Sequence, residues 1–221
     1  MRTAFAVVVV VSMIATPAVA ADTVGLVDPE TGAWHLRTPG GGEVTFFYGD
    51  PGDTPLTGDW NCNGIDTPGL YREANGFAYL RNANSQGVAD IQYFFGSPGD
   101  FPIAGDWNGD GCDTVSVYRP ATGQVFIIDR LGAGQAGLGP ATTSYFFGNP
   151  GDAPFAGDFD GDGVDTVGLY RESNGFVYFR NSHTQGVADR SFFYGDPEDR
   201  IVAGDWTGDG ADTVGIFRAL G

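Results

Sequence analysis

Apolar and polar residues alternate along this chain in short runs, each bounded by Gly, Pro, Asn or Asp. The runs are rich in β-branched and aromatic side chains, as in Thr-Val-Gly-Leu-Tyr-Arg ending at Arg171, so each predicts a strand. Asn75-Gly76 and Asn174-Gly175 predict tight hairpins, because both central residues tolerate positive φ. Apart from an apolar run at Ala4–Ala15, no stretch carries helical periodicity.

The runs repeat as phrases. Gly69–Arg72 recurs at Gly168–Arg171, with variants at Ser116–Arg119 and Gly215–Arg218. Phe77–Arg81 recurs at Phe176–Arg180, and aromatic runs recur at Phe46–Tyr48, Tyr93–Phe95, Tyr145–Phe147 and Phe192–Tyr194. Acidic octets begin at Asp59, Asp106, Asp158 and Asp205, at spacings of 47, 52 and 47 residues. A period near 50 with four strands per unit predicts propeller blades. Blades also alternate in type, since Asp59 to Asp158 and Asp106 to Asp205 are both 99 residues. The segment from Asp22 matches the end of an octet and the strand after it, while the C-terminal end supplies an inner strand and a full octet. We therefore expect an all-β propeller of four-stranded blades, four in number and closed by N- and C-terminal strands. Both ends carry a copy of the same second strand, which leaves a displaced strand or an open array as alternatives.

Each octet places oxygen-bearing side chains at its first, third, fifth and eighth positions and Gly at its sixth. Alternate oxygens with Gly at the bend are what a loop needs to wrap a hard cation, and Ca²⁺ is the expected ion. An EF-hand is excluded, because the twelfth position of the third copy is Leu169 rather than Glu and the flanks are strands. Zinc is disfavoured because the octets contain no His. Carboxylate count grades the sites: the octet at Asp158 has four and should bind tightest, whereas that at Asp59 has two.

The formal charge of −17 repels phosphate, so no nucleic-acid partner is expected. Much of that charge lies in the octets, and four Ca²⁺ would offset about half of it. The 17 Phe, 9 Tyr and 4 Trp argue against disorder. Met1 and Arg2, the apolar run and Ala18-Val19-Ala20 have the layout of a secretory signal peptide over residues 1–20, with cleavage before Ala21. The run is short of the ~20 residues a spanning helix needs, so no membrane insertion is expected. The reading is a secreted chain whose residues 21–221 form one calcium-binding repeat domain.

From Asp22 to Leu220 these residues resemble the FG-GAP/VCBS-type calcium repeats of integrin α propellers and of many exported bacterial proteins and some lectins. The resemblance implies one Ca²⁺ in the loop between the first two strands of a blade. Its ligands would be Asp59, Asn61, Asn63 and Asp66; Asp106, Asn108, Asp110 and Asp113; Asp158, Asp160, Asp162 and Asp165; and Asp205, Thr207, Asp209 and Asp212. Backbone carbonyls of Ile65, Cys112, Val164 and Ala211 would complete the shells. The family has two residues between the Gly and the last Asp where this chain has one, which changes the reach of the last ligand.

Cys62 and Cys112 lie in octets of consecutive blades, so a disulfide is expected in an exported protein, with two small buried thiols as the alternative. Trp60, Trp107, Phe159 and Trp206 share the second octet position and read as inter-blade core rather than as sugar-stacking platforms. Arg72, Arg119, Arg171 and Arg218 are expected to pair with carboxylates. Asp53, Asp100, Asp152 and Asp199 are expected to cap turns, with metal ligation as the alternative. His35 and His183 are isolated, and no nucleophile motif appears. The chain is therefore expected to be a non-enzymatic binding or adhesion module for a glycan or extracellular protein. The alternatives are a glycan-active hydrolase or lyase, or a purely structural surface protein.

Overall fold

The structure, a computed structural model, describes residues 7–11, 21–38, 41–132, 137–197 and 199–218. These form eighteen strands and no helix. Accordingly, among the described residues no helix is long and apolar enough to cross a membrane. The first sheet runs β1 (Val7–Val11), β2 (Thr23–Asp28), β3 (Ala33–Arg37), β4 (Glu43–Phe47). The second runs β5 (Thr54–Gly58), β6 (Thr67–Arg72), β7 (Phe77–Leu80), β8 (Ile91–Phe94). The third runs β9 (Phe101–Gly105), β10 (Thr114–Arg119), β11 (Gln124–Ile127), β12 (Thr143–Phe146). The fourth runs β13 (Ala153–Gly157), β14 (Thr166–Arg171), β15 (Phe176–Phe179), β16 (Arg190–Phe193). All pairings are antiparallel, so the four expected four-stranded blades are present as a propeller.

A two-stranded sheet, β17 (Arg200–Gly204) with β18 (Thr213–Phe217), joins them. The inner strands lie side by side around an axis: β5 against β1 and β9, β13 against β9 and β17, and β17 against β1. The chain ends do close the ring, as expected, but as neighbours. Each keeps its own second strand, β2 and β18, so neither copy is displaced. Val7–Val11, inside the run read as a leader, form the inner strand of the first blade; Ala18-Val19-Ala20 lies outside the described residues.

The core sits between blades. Strand residues point alternately to opposite faces, so one strand serves two interfaces. Leu70 of β6 packs with Trp34, Leu36 and Phe46 of the first blade, whereas Tyr71 packs with Val115 and Val117 of the third. Trp60 and Trp107 are buried, with indole N–H groups donating to the carbonyls of Thr67 and Thr114 at 3.0 and 3.2 Å. Phe159 stacks on Phe179 at 4.4 Å. These aromatics therefore act as inter-blade core. Trp206, in the two-stranded sheet, is only half-buried.

Candidate metal centre

The four octets join the first and second strands of their sheets and gather at one end of the ring. Within each, the first Asp folds its carboxylate back into its own loop. Asp106 accepts the N–H groups of Gly109, Asp110 and Gly111 at 2.8, 3.1 and 2.7 Å. Asp158 repeats this with Gly161, Asp162 and Gly163, and Asp205 with Gly208, Asp209 and Gly210. Asp59 accepts from Asn63 and Gly64. Gly109 and Gly111 have φ of 72° and 82°, which is how successive N–H groups turn inward toward one anion. The fifth-position side chains, Asn63, Asp110, Asp162 and Asp209, each accept the N–H of position seven.

In the third octet, Asp158, Asp160 and Asp162 each offer an oxygen within 4.8 Å of the others. Beside them lies a residue the sequence reading did not select. Asn181, after β15, donates its amide to Asp160 at 2.8 Å, and its Oδ1 is buried with no hydrogen-bond partner. The three carboxylates fit a hard cation such as Ca²⁺, and Asn181 turns its amide nitrogen toward Asp160 as a positioning group. The repeated Arg-Asn at Arg81-Asn82 and Arg180-Asn181 was the available signal, and the Oδ1 of Asn82 is likewise buried and unpartnered. The other octets offer less charged oxygen sets: Asn61 with Asn63, Thr207 with Asp209, and Asn108, whose amide is tied to Asp110 at 2.9 Å. The carbonyl of Asp66 accepts the Asn84 amide at 3.0 Å.

The eighth position has a role that the motif alone does not reveal. Asp113 accepts the Asp59 N–H at 2.7 Å and returns its own N–H to the Asp59 carbonyl at 3.0 Å. Asp165 clamps Asp106 in the same way, and Asp212 clamps Asp158. Asp22 clamps Asp205 at 2.8 Å in both directions, so the same device joins residues 183 apart and closes the ring. Each inner strand that leads into an octet makes room by ending in Gly: a Cβ on Gly105 would lie 2.7 Å from the Asp165 carboxylate. Burial, reinforced by neighbouring carboxylates, pushes Asp113 up to about 6 and Asp212 up to about 7, and raises Asp165 well above the ordinary carboxylate value.

These raised values set a pH dependence for metal-free protein. Between the unfolded value near about 4 and the raised folded values, the native state holds protons that the unfolded chain has released. Stability therefore falls as pH rises through this window. His183, lowered by burial, pulls the other way but is one group against three. In chelator, the melting temperature should be higher near about pH 5 than near about pH 7.5. A higher value at the alkaline end would contradict this account.

Cys62 and Cys112 form a disulfide. Cys62 stands at the fourth octet position and Cys112 at the seventh, and this offset is general. The fourth position of one loop rests on the seventh of the next: a Cβ on Gly109 would lie 3.2 Å from Val164, and one on Gly161 would lie 3.7 Å from the Ala211 Cβ. The fourth position needs positive φ, and Cys62 is the described non-Gly residue that adopts it, at 61°. Because a Cβ separation near about 3.8 Å suits a disulfide, the double variant Gly161→Cys/Ala211→Cys should form a second bridge. Intact mass before and after reduction reads it, and two free thiols in aerated buffer would show the offset rule to be false.

At the opposite ends of the inner strands, Asp53, Asp100, Asp152 and Asp199 each take a two-pronged grip from Arg72, Arg119, Arg171 and Arg218, with Nε contacts of 2.6–2.7 Å. The same carboxylates accept the N–H three residues earlier, from Asp50, Ser97, Asn149 and Asp196. Both readings made from sequence, Arg pairing and turn capping, thus describe one arrangement. His35 bonds Glu43 at 3.0 Å on an exposed strand face, and His183 bonds the Trp107 carbonyl at 3.1 Å. A cavity of about 630 Å³ opens on the axis among Thr54, Phe101, Ala153, Arg200, Glu73 and Glu172. There the side chains differ from blade to blade.

The fold and its interlocked loops define an all-β propeller. No family model matches the chain, and no curated protein matches it. Among solved structures it is similar to two described as BBS1N in complex with ARL6DN, one soaked with mercury and one with lead. The first aligns at TM-score 0.48 and 12% identity over 99% of this chain and 66% of that one. The second aligns at 0.43 and 17% over 95% and 61%. The chain thus spans less than two thirds of the length of either.

Proposed function

We propose that this chain is an exported, non-catalytic binding module, whose octet loops take up Ca²⁺ and whose ring presents its ends to a glycan or an extracellular protein. The observation that carries this reading is the set of three carboxylates in the third octet, with Asn181 bonded to one of them. The leader-like N-terminus and the resemblance to FG-GAP/VCBS repeats support export and calcium uptake. The repeat's own architecture also occupies the carboxylates: those of the octets serve loops and clamps, and those at the other end hold arginines. A catalytic acid–base pair should instead break the repeat.

In this reading Asp158, Asp160 and Asp162 hold the ion and Asn181 orients Asp160. The bound ion would supply positive charge among three carboxylates that otherwise repel one another. Chelation should therefore lower the melting temperature, and Asp158→Ala should remove more of the Ca²⁺-dependent part than Asp59→Ala. Identical melting curves in excess Ca²⁺ and in chelator would remove the calcium reading. A glycan array with and without Ca²⁺ tests the ligand class, and silence in both conditions would exclude a lectin role.

A further inference from the structure

We propose that the inner position of the first blade is a strand-binding site, which after leader removal takes an extended, uncharged, β-branched strand from another protein. This rests on the export reading above, in which the chain is cut before Ala21. In the structure β1 fills that position. Val7 to Val11 pair with Val27 to Thr23 over the same length as β5 pairs with β6. Val9 and Val11 are buried against Val27, Trp34, Leu36 and Phe46. On the other side, Val10 lies where a side chain on Gly204 would collide with it, and its carbonyl accepts the Thr57 hydroxyl.

Yet β1 does not belong to the repeat. β5, β9, β13 and β17 each end in Gly and run into an octet, whereas β1 ends in Val11 and is followed by none. The position therefore selects extended shape, apolar alternate side chains and absence of charge rather than the repeat's own sequence. Those are the terms of strand addition, in which main-chain bonds give affinity and alternate side chains fill pockets. Removing β1 would expose the N–H and C=O groups along β2 together with the apolar wall of Trp34 and Leu36. The Asp22–Asp205 clamp does not involve β1, so the ring remains joined around the emptied position.

The test uses the full chain with a site-specific protease sequence inserted between Val11 and Ala21, cut after folding. A fluorescent peptide carrying Val7–Val11 between lysine tails is offered to cut and uncut forms. In the expected result excess peptide displaces the fragment and the cut form takes up the peptide one-to-one, while the uncut form takes none. A cut form that keeps its fragment and takes no peptide overturns the proposal. A peptide with Val9→Lys and Val11→Lys should bind at least about tenfold more weakly, because both side chains must be buried. Its extra positive charge would favour it if the acidic surface alone were responsible. Loss of the fragment with no peptide uptake, or equal binding of the two peptides, overturns the proposal. The mass of the secreted chain separates the two failures: a start at Ala21 without uptake sinks the strand site alone, and a start at Met1 sinks the export reading.

Discussion

Asp152→Ala is expected to cost about 3 kcal/mol or more of folding stability, because it leaves a mostly buried guanidinium without its counter-charge. The Asp152 side chain is 2% exposed and that of Arg171 is 25% exposed. Two oxygens take Arg171 Nε and a terminal nitrogen at 2.7 and 2.8 Å, and one of them also accepts the Asn149 N–H at 2.9 Å. Alanine removes all three bonds and leaves the Asn149 amide without its acceptor. The guanidinium also lies 4.7 Å from the Tyr178 ring, so it cannot swing to water without abandoning that contact. The exposed Asp50 is the control. It bonds Arg72 at 2.7 Å, but its side chain is 76% exposed, so Asp50→Ala should cost less than about 1 kcal/mol. Urea midpoints of the two variants give the comparison, and a shift for Asp50→Ala as large as that for Asp152→Ala would refute the role given to burial.

Reducing the Cys62–Cys112 bridge should cost about 4 kcal/mol, as loop-closure entropy predicts for a cross-link between residues 50 apart. The bridge joins the first two octets, where the Asp113–Asp59 clamp already sits, so its loss loosens an interface rather than a distant loop. The replacement matters. Position four demands the left-handed region, where glycine rests without strain and a side chain costs about 1 kcal/mol or more. Cys62→Gly/Cys112→Val, which copies the Gly109–Val164 pair of the next interface, should be more stable than Cys62→Ala/Cys112→Ala. Reductant titration with melting curves measures the first effect. Equal melting temperatures for the two double variants would discount the strain.

Much of the octets' chemistry could be read from the sequence, and part could not. The oxygens at positions one, three and five stand out because alternate side chains of a tight loop converge on one point. Asn181, which bonds Asp160, comes from the loop after β15, and no local spacing reports it. The eighth Asp was legible as an oxygen but not as a clamp, because its partner is the first Asp of another octet, 54 residues away for Asp113 and Asp59. A repeat shows which residues recur without saying which copy touches which. The axial cavity was not visible either, since the residues that line it are scattered over the first ends of four separate inner strands.

By itself the sequence determined the strands of the repeat, their grouping into fours, most of the aromatic core positions and the expectation that the recurring arginines meet carboxylates. Each depends on period-two alternation, turn residues or a fixed offset within one repeat, all of which are local. Only the tertiary structure decided that the chain ends become neighbouring sheets, that Asp22 reaches Asp205, and that a valine run outside the repeat completes the first blade. Those outcomes depend on how the ring closes, and closure is settled by the space and the unpaired backbone left over when all the sheets pack together.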